Sequence, residues 1–271
     1  MKFSFEQILK DGPVVMAILN LTPDSFYKGS RVEPKELLDI CASHIDDGAT
    51  ILDLGGYSTR PGAKEVSVQD EINRIVPAIE VVKREFPNIS VSVDTFRSKV
   101  AKAAINAGAD IVNDVSGGTI DSGMLSFIKY EKVPYVFMHM RGTPQTMQSK
   151  VVYDDVVSDV LNEVSSTVLD LKTSGVDVVF DPGFGFAKTL DQNYSVLKQI
   201  ERFKELNCPI LVGVSRKSMI YKYLDIEPTE ALNGTSVLNT VALMNGAQVL
   251  RVHDAKPAKE VIELIKKLNL S

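Results

Sequence analysis

Eight short β-branched runs recur along the chain, each opening apolar and closing on polar or charged residues. They are PVVMAILN (13–20), TILDLGG (50–56), ISVSVDT (89–95), DIVNDVSG (110–117), PYVFMHM (134–140), VDVVFDPG (176–183), PILVGVSR (209–216) and QVLRVHD (248–254). Several are nearly continuous apolar runs, as parallel strands buried on both faces are. Stretches with apolar residues at helical spacing lie between them. Residues 34–47 carry Leu37, Leu38, Cys41 and Ile45, and residues 70–85 carry Ile72, Ile75, Val76, Ile79 and Val82. Similar patterns predict helices over 98–106, 153–173, 191–206 and 257–268. Gly48, Gly108 and Gly175 each sit between a helix and a strand, where a left-handed cap belongs. Gly-Ala followed by Thr, Asp or Gln opens the next strand at Gly48, Gly108 and Gly246, a weak sign of a repeated β/α unit.

An alternating β/α order fits a closed barrel or an open doubly wound sheet, and eight repeats favour the (β/α)8 barrel. That fold takes about 250 residues, so the 271 residues are read as one domain, 1–271. The first dozen fall outside the repeat and are expected to form a short plug under the N-terminal end of the barrel.

The polar ends are Asn20, Asp53, Asp94, Asn113 with Asp114, His139 with Arg141, Asp181, Ser215 to Lys217, and Arg251 to Asp254. In a (β/α)8 barrel these ends meet at the C-terminal face, where active sites are built. A single Asp or Asn there is usually a cap or turn former. Eight such ends are hard to explain that way, because polar groups inside strands resist burial without partners. The expectation is one site for a phosphorylated small molecule.

Net charge matters next, because at −5 the chain lacks the basic face of a nucleic-acid binder. An anionic substrate must therefore meet a local cluster of cations, and Arg60, Lys217, Arg251 and His253 supply it. Arg251 and His253 are two apart on one strand, so they share a face and can both reach one phosphate. Lys217 opens a helix-like stretch whose backbone amides can also receive an anion.

Asp94, Asn113 and Asp181 come from three different strands. Together they suit a flat, nitrogen-rich heterocycle, with a metal cage as the competing reading and a cap for the Pro182-Gly183 turn as the structural one for Asp181. Met138, Met140, Phe184 and Phe186 serve either as core or as walls around a ring. Loops 21–31 (LTPDSFYKGSR) and 57–63 (YSTRPGA) have the composition of segments that close over a ligand, or of plain surface connections. His44 lies in a helix and reads as structural, while His139 either orients a loop or touches ligand.

Several classes of chemistry find no support. There is no Ser-His-Asp or Cys-His pattern, nucleophile elbow, Walker loop or GxGxxG. Cys41 and Cys208 have no metal or disulfide spacing and read as reduced thiols. No apolar run approaches the roughly 20 residues of a membrane span. The N-terminus MKFSFEQILKDG lacks the apolar core of a signal peptide, so the cytoplasm is the expected location.

Taken in order and spacing, ILNLTPDSF, LDLGGYSTRPGA, SVDTF, NDVSGG, MHMRGTPQTMQ, DPGFGFAK, GVSRKSMI and RVHDAK resemble the motifs of dihydropteroate synthases, from about residue 13 to the last strand. The resemblance implies a (β/α)8 barrel joining 6-hydroxymethyl-7,8-dihydropterin diphosphate to 4-aminobenzoate, with 7,8-dihydropteroate and pyrophosphate as products of a step in folate synthesis. By that pattern Asp94, Asn113, Asp181 and Lys217 hold the pterin, beside Met138 and Gly213. Asn20 meets Mg²⁺, and Arg251 with His253 takes the diphosphate. Thr59, Arg60 and Pro61 build the aminobenzoate site, lined from the other side by Phe186, Lys217 and Ser218. Asn20, Lys217, Arg251 and His253 are then the residues closest to the chemistry. The resemblance also implies a homodimer and membership of a family that is a sulfonamide target.

Two departures stand out. Tyr57 replaces the glutamate common at that place in the family, and FYKGS replaces the commoner FSDGG. Both fall in the loops and spare the residues assigned to the pterin. A rival keeps barrel and pterin but moves a methyl group from a folate to a corrinoid protein. Such relatives should lack the combination of the STRPGA loop and the strand-eight anion pair. A non-catalytic member of the fold should have lost Asn20, Lys217 or Arg251, and all three are present.

Overall fold

A computed structural model describes residues 3–21, 27–28, 31–32, 34–57, 65–143 and 145–269. Each of the eight runs forms a strand, somewhat shorter than its apolar stretch. The strands are β1 (Val14–Asn20), β2 (Ile51–Gly55), β3 (Ser90–Asp94), β4 (Ile111–Asp114), β5 (Tyr135–Met138), β6 (Val178–Asp181), β7 (Leu211–Val212) and β8 (Val249–Val252). They pair in parallel in the order β6-β5-β4-β3-β2-β1-β8-β7. A parallel bridge between Phe180 and Ile210 joins β6 to β7 and closes the ring. The architecture is a (β/α)8 barrel.

The outer layer holds α1 (Pro34–Asp46), α2 (Val68–Glu85), α3 (Ser98–Asn106), α4 (Met124–Glu131), α5 (Val156–Thr173), α6 (Leu190–Lys198), α7 (Leu232–Met244) and α8 (Ala255–Asn269). Side-chain caps set several starts. Ser67 accepts from the Asp70 amide ahead of α2, and Asp155 from Ser158 ahead of α5. Thr189 and Gln192 form a capping box at α6, each satisfying a backbone donor the helix cannot use. Gly48, Gly108 and Gly175 have φ of 94°, 107° and 80°, as their place between helix and strand requires. No helix among the described residues is long and apolar enough to cross a membrane.

Two helical expectations need correction. Residues 153–155 precede α5 because Asp155 caps it. The stretch 191–206 breaks at Gln199 into a 3-10 segment, Ile200–Leu206. Ile200, Phe203 and Leu206 are all buried there, and a spacing of three suits three residues per turn better than 3.6. Periodicity also passed over α4 and α7. The first is only eight residues long, and the second carries Gly234 with β-branched residues in place of a clean apolar stripe.

The N-terminal segment plugs the barrel as expected. Phe5 opens the short helix Phe5–Leu9 and is fully buried. It packs on Val14, Met16, Ile51, Ile111, Val136, Val179, Leu211 and Val249, which point inward from seven strands. Its amide donates to Asp177 Oδ2 at 2.7 Å. Burying a phenylalanine contributes about 1.5–3 kcal/mol, so the floor is apolar and sealed.

Strand alternation then decides what lies above that floor. Register pairs Ile18 with Asp53 and Asn20 with Gly55, Asp53 with Ser92, Gly55 and Asn113 with Asp94, and Met138 with Asp181. These positions share the inward parity of the floor residues, as do Gly213 and Arg251. Asp114 has the opposite parity. It lies between sheet and helices, accepting from Tyr135 Oη at 2.7 Å and from the Ser116 and Gly118 amides.

Candidate active site

The central group is Arg251 of β8. Its Nε donates to Asp53 Oδ2 at 2.7 Å and its Nη2 to Asp94 Oδ2 at 2.6 Å. Asn113 Nδ2 donates to the same Asp53 oxygen at 2.9 Å. Burial works against the Arg251 charge, yet Asp53 and Asp94 hold its pKa above the ordinary value. Burial also pushes the Asp94 carboxyl up to about 7, against the pull of Arg251. Asp53 is fully buried, and its Oδ1 has no partner among the described residues.

Asp181 closes the other side. Its Oδ1 accepts from the Gly183 amide at 2.7 Å, so the turn-capping reading is realised as well. Burial raises its pKa, with Lys217, the Gly183 amide, Arg251 and Lys188 opposing. Carboxylates and an amide from β3, β4 and β6 thus face one space beside two cations. A dication would meet Arg251 and Lys217 there, which disfavours a metal cage and suits a neutral, N–H-rich heterocycle.

Lys217 reaches this space by a backbone device. Arg216 has φ of 51° and is clamped by Asp254 through Nε–Oδ2 and Nη2–Oδ1 contacts of 2.8 and 2.9 Å. The chain therefore turns Lys217 into the barrel mouth as the cap of the helix Ser218–Leu224. Lys217 Nζ donates to Phe184 O at 2.5 Å and stands 5.2 Å from the centre of the Phe186 ring. Burial lowers its pKa to about 8, against Asp181. Gly213 lies between the two cations: a Cβ there would make ordinary contacts of 3.8 Å with Lys217 Nζ and 3.9 Å with Arg251 Cβ.

The remaining candidates arrange themselves around this core. Asn20 is exposed at the top of β1, and both it and Asp94 border Gly55, at 3.8 Å and 3.6 Å from a Cβ placed there. Ser215 Oγ accepts from the His253 amide at 3.2 Å and lies within hydrogen-bond distance, 3.1 Å, of His253 Nδ1. Met138 packs with Val115, Met140, Met147 and Ala187, and Phe186 borders the group. That apolar wall adjoins the polar pocket, so the core and wall readings coincide. Ser218 starts its helix next to Lys217. Thr59, Arg60 and Pro61, and most of the loop 57–63, lie outside the described residues. So do residues 22–26 and 29–30 of the first loop, whose Tyr27–Lys28 and Arg31–Val32 pair as a small antiparallel hairpin.

His139 and Arg141, like Asp114, do not join the site. His139 Nε2 lies 3.0 Å from Glu163 Oε2, and Arg141 pairs with Glu163, both outside the barrel mouth. Conversely, Asp53, for which the sequence alone suggests no role, anchors Arg251 and Asn113. Its inward parity, two residues before Gly55, was the available signal. Lys188 carries no such signal: its side-chain partner His139 lies 49 residues away, and its other acceptors are backbone carbonyls of its own turn.

A family model described as pterin binding enzyme matches residues 16–253. Dihydropteroate synthase of Escherichia coli strain K12 is 40% identical over 261 residues, covering 94% of this chain and 91% of that protein. The chain belongs to the dihydropteroate synthase family of pterin-binding enzymes. The folic acid synthesis protein fol1 of Schizosaccharomyces pombe is 42% identical over 263 residues, and this chain spans 36% of its length. Among solved structures of the family, dihydropteroate synthase of Yersinia pestis in a sulfonamide drug complex matches with a TM-score of 0.89 at 35% identity, covering 96% of each chain. Dihydropteroate synthase of Xanthomonas albilineans with 4-aminobenzoic acid matches with a TM-score of 0.87 at 34% identity, covering 96% of this chain and 94% of that one.

Proposed function

We propose that this chain joins 6-hydroxymethyl-7,8-dihydropterin diphosphate to 4-aminobenzoate, giving 7,8-dihydropteroate and pyrophosphate. The observation that carries the reading is the convergence of Asp94, Asn113 and Asp181 with Arg251 and Lys217 in one inward-facing layer. The carboxylates accept from ring N–H groups of the pterin, and Asn113 both donates and accepts. Arg251 and His253 at the top of β8, with Lys217, meet the diphosphate and offset its growing charge as it leaves. The carbon left behind is attached to an electron-rich ring that supports cation character. An arylamine is mostly unprotonated at neutral pH, so attack needs no strong base.

Phe186, Ser218 and the aliphatic part of Lys217 line the aminobenzoate side, with Thr59, Arg60 and Pro61 completing it. Lys217 lies between the substrates. Mg²⁺ suits this donor set: a hard cation keeps waters, takes phosphate oxygens and needs few protein ligands. The exposed Asn20 carboxamide is the residue to hold it. Held there, Mg²⁺ would supply neutralisation of the diphosphate. The rival methyl transfer is set aside, because relatives 40% identical to this chain are named dihydropteroate synthase.

We read the assembly as a homodimer, with the exposed Tyr223, Leu224, Val237 and Met244 as candidates for its apolar face; light scattering at a single monomer mass would refute that. We place the chain in the cytoplasm, consistent with Cys41 and Cys208 as free thiols. Burial raises them to about 12 and about 11. The test of function is pyrophosphate release from purified protein with both substrates and Mg²⁺. Release must require 4-aminobenzoate and fall when EDTA removes the metal; release no higher than the minus-aminobenzoate control would sink the synthase reading.

A further inference from the structure

Lys188, just before α6, is buried to 4% exposure. Its Nζ lies 3.0 Å from His139 Nδ1, 3.2 Å from Gly183 O and 3.2 Å from Phe186 O. An ammonium has three protons and no acceptor, so these contacts use every donor it has. Burial lowers the Lys188 pKa to about 7, with Asp181 opposing; in the charged form His139 Nδ1 accepts, its proton then on Nε2, facing Glu163 Oε2 at 3.0 Å. Burial, opposed by the Glu163 contact, drives the His139 pKa down to about 4, in keeping with that neutral tautomer. Glu163 is in turn held by Arg141, whose guanidinium lies 3.7 Å from the centre of the Tyr153 ring.

What Lys188 holds is the turn that follows β6. Gly183 presses so closely on β5 that a Cβ would meet His139 O at 2.1 Å. Two more contacts fix the same turn: Tyr153 Oη donates to Ala187 O at 2.9 Å, and the Gly185 amide to Asn193 Oδ1 at 2.7 Å. On its other side this turn carries Phe184 O, the acceptor of Lys217 Nζ, and the Phe186 ring that Lys217 overlies. It also lies beside Asp181, whose ionised form the Lys188 charge favours.

We propose that Lys188 is a positioning residue for the synthase reaction: its ammonium gathers Gly183 O, Phe186 O and His139 so that Phe186 and the seat of Lys217 are set for the aminobenzoate. The proposal rests on the synthase reading. Lys188 itself touches neither substrate, because all of its donors are used internally.

The test compares Lys188→Met, Phe186→Ala and the double variant with the native chain, measuring kcat and both Michaelis constants alongside unfolding curves. A displaced support of the order of an ångström can cost a reaction about 100-fold, so Lys188→Met is expected to lower kcat/KM for 4-aminobenzoate by about tenfold or more. In the Phe186→Ala background the same change should cost much less, because the two act through one wall. General destabilisation would instead give the same loss in both backgrounds. If Lys188→Met does not fold, His139→Leu removes one of the three acceptors and is expected to shift the same constant, while His139→Gln, which keeps an acceptor, retains most of the activity. Unchanged constants in Lys188→Met or His139→Leu, or equal losses in both backgrounds, overturn the proposal. A native chain that releases no pyrophosphate refutes the synthase reading instead, so the two failures are told apart.

Discussion

Replacing Asp53 with Ala removes the fully buried carboxylate that holds both Arg251 and Asn113. The Arg251 guanidinium keeps only Asp94, and the Asn113 amide loses its acceptor. Removing one partner of a buried ion pair costs about 3–5 kcal/mol, because the remaining charge stays desolvated. At roughly 2 °C per kcal/mol for a chain of this size, Tm should fall by roughly 6–10 °C. Asp53→Asn keeps the shape and one acceptor but drops the charge, so its loss should be smaller. Urea unfolding monitored by circular dichroism gives the stability change, and calorimetric titration with a pterin gives the binding. Both variants should bind pterin more weakly, since Arg251 and Asn113 are no longer fixed. A loss below about 1 kcal/mol for Asp53→Ala, well short of the range for a broken buried pair, with pterin affinity intact, would refute this account of the cluster.

Lys217→Ala should weaken both substrates, by about 10- to 100-fold in kcat/KM if one charged hydrogen bond is lost; unchanged turnover and Michaelis constants would remove Lys217 from its role. Gly183→Ala should cost more than about 3 kcal/mol, adding left-handed strain to a clash with a backbone carbonyl, and a denaturation midpoint near that of the native chain would contradict it. His139 has a folded pKa of about 4, below its unfolded value of 6.5, so the unfolded chain takes up a proton between these values that the folded chain does not. Stability should therefore fall as pH drops from 6.5 to 4, by up to about 3 kcal/mol, and His139→Gln should flatten that part of the profile. A native Tm that is flat over this range would count against the neutral tautomer. Phe5→Ala should cost about 3–5 kcal/mol by opening the barrel floor, with a smaller loss showing that the plug is not part of the core.

The sequence made the barrel legible because apolar runs and their polar ends repeat eight times, and closure adds only the bridge at Phe180. It also showed which strand ends carry chemistry, but not which way each side chain points until register was known. Asp114 and Asn113 are neighbours, yet one serves the sheet–helix layer and the other the pocket. His139 showed the same ambiguity. Periodicity failed at α7 because its faces are similarly apolar, and at residues 200–206 because their spacing suits a tighter helix. Asp53 acts through Arg251 and Asn113 on other strands, and Lys188 through His139 and two carbonyls of its own turn, so only the assembled fold shows what each one holds.

The most direct test is the product itself. Incubation of the purified chain with pterin diphosphate, 4-aminobenzoate and Mg²⁺, followed by mass spectrometry, should show 7,8-dihydropteroate forming in equal amount to pyrophosphate. Pyrophosphate appearing with free hydroxymethyl-dihydropterin instead, or no condensed product at all, would contradict the account.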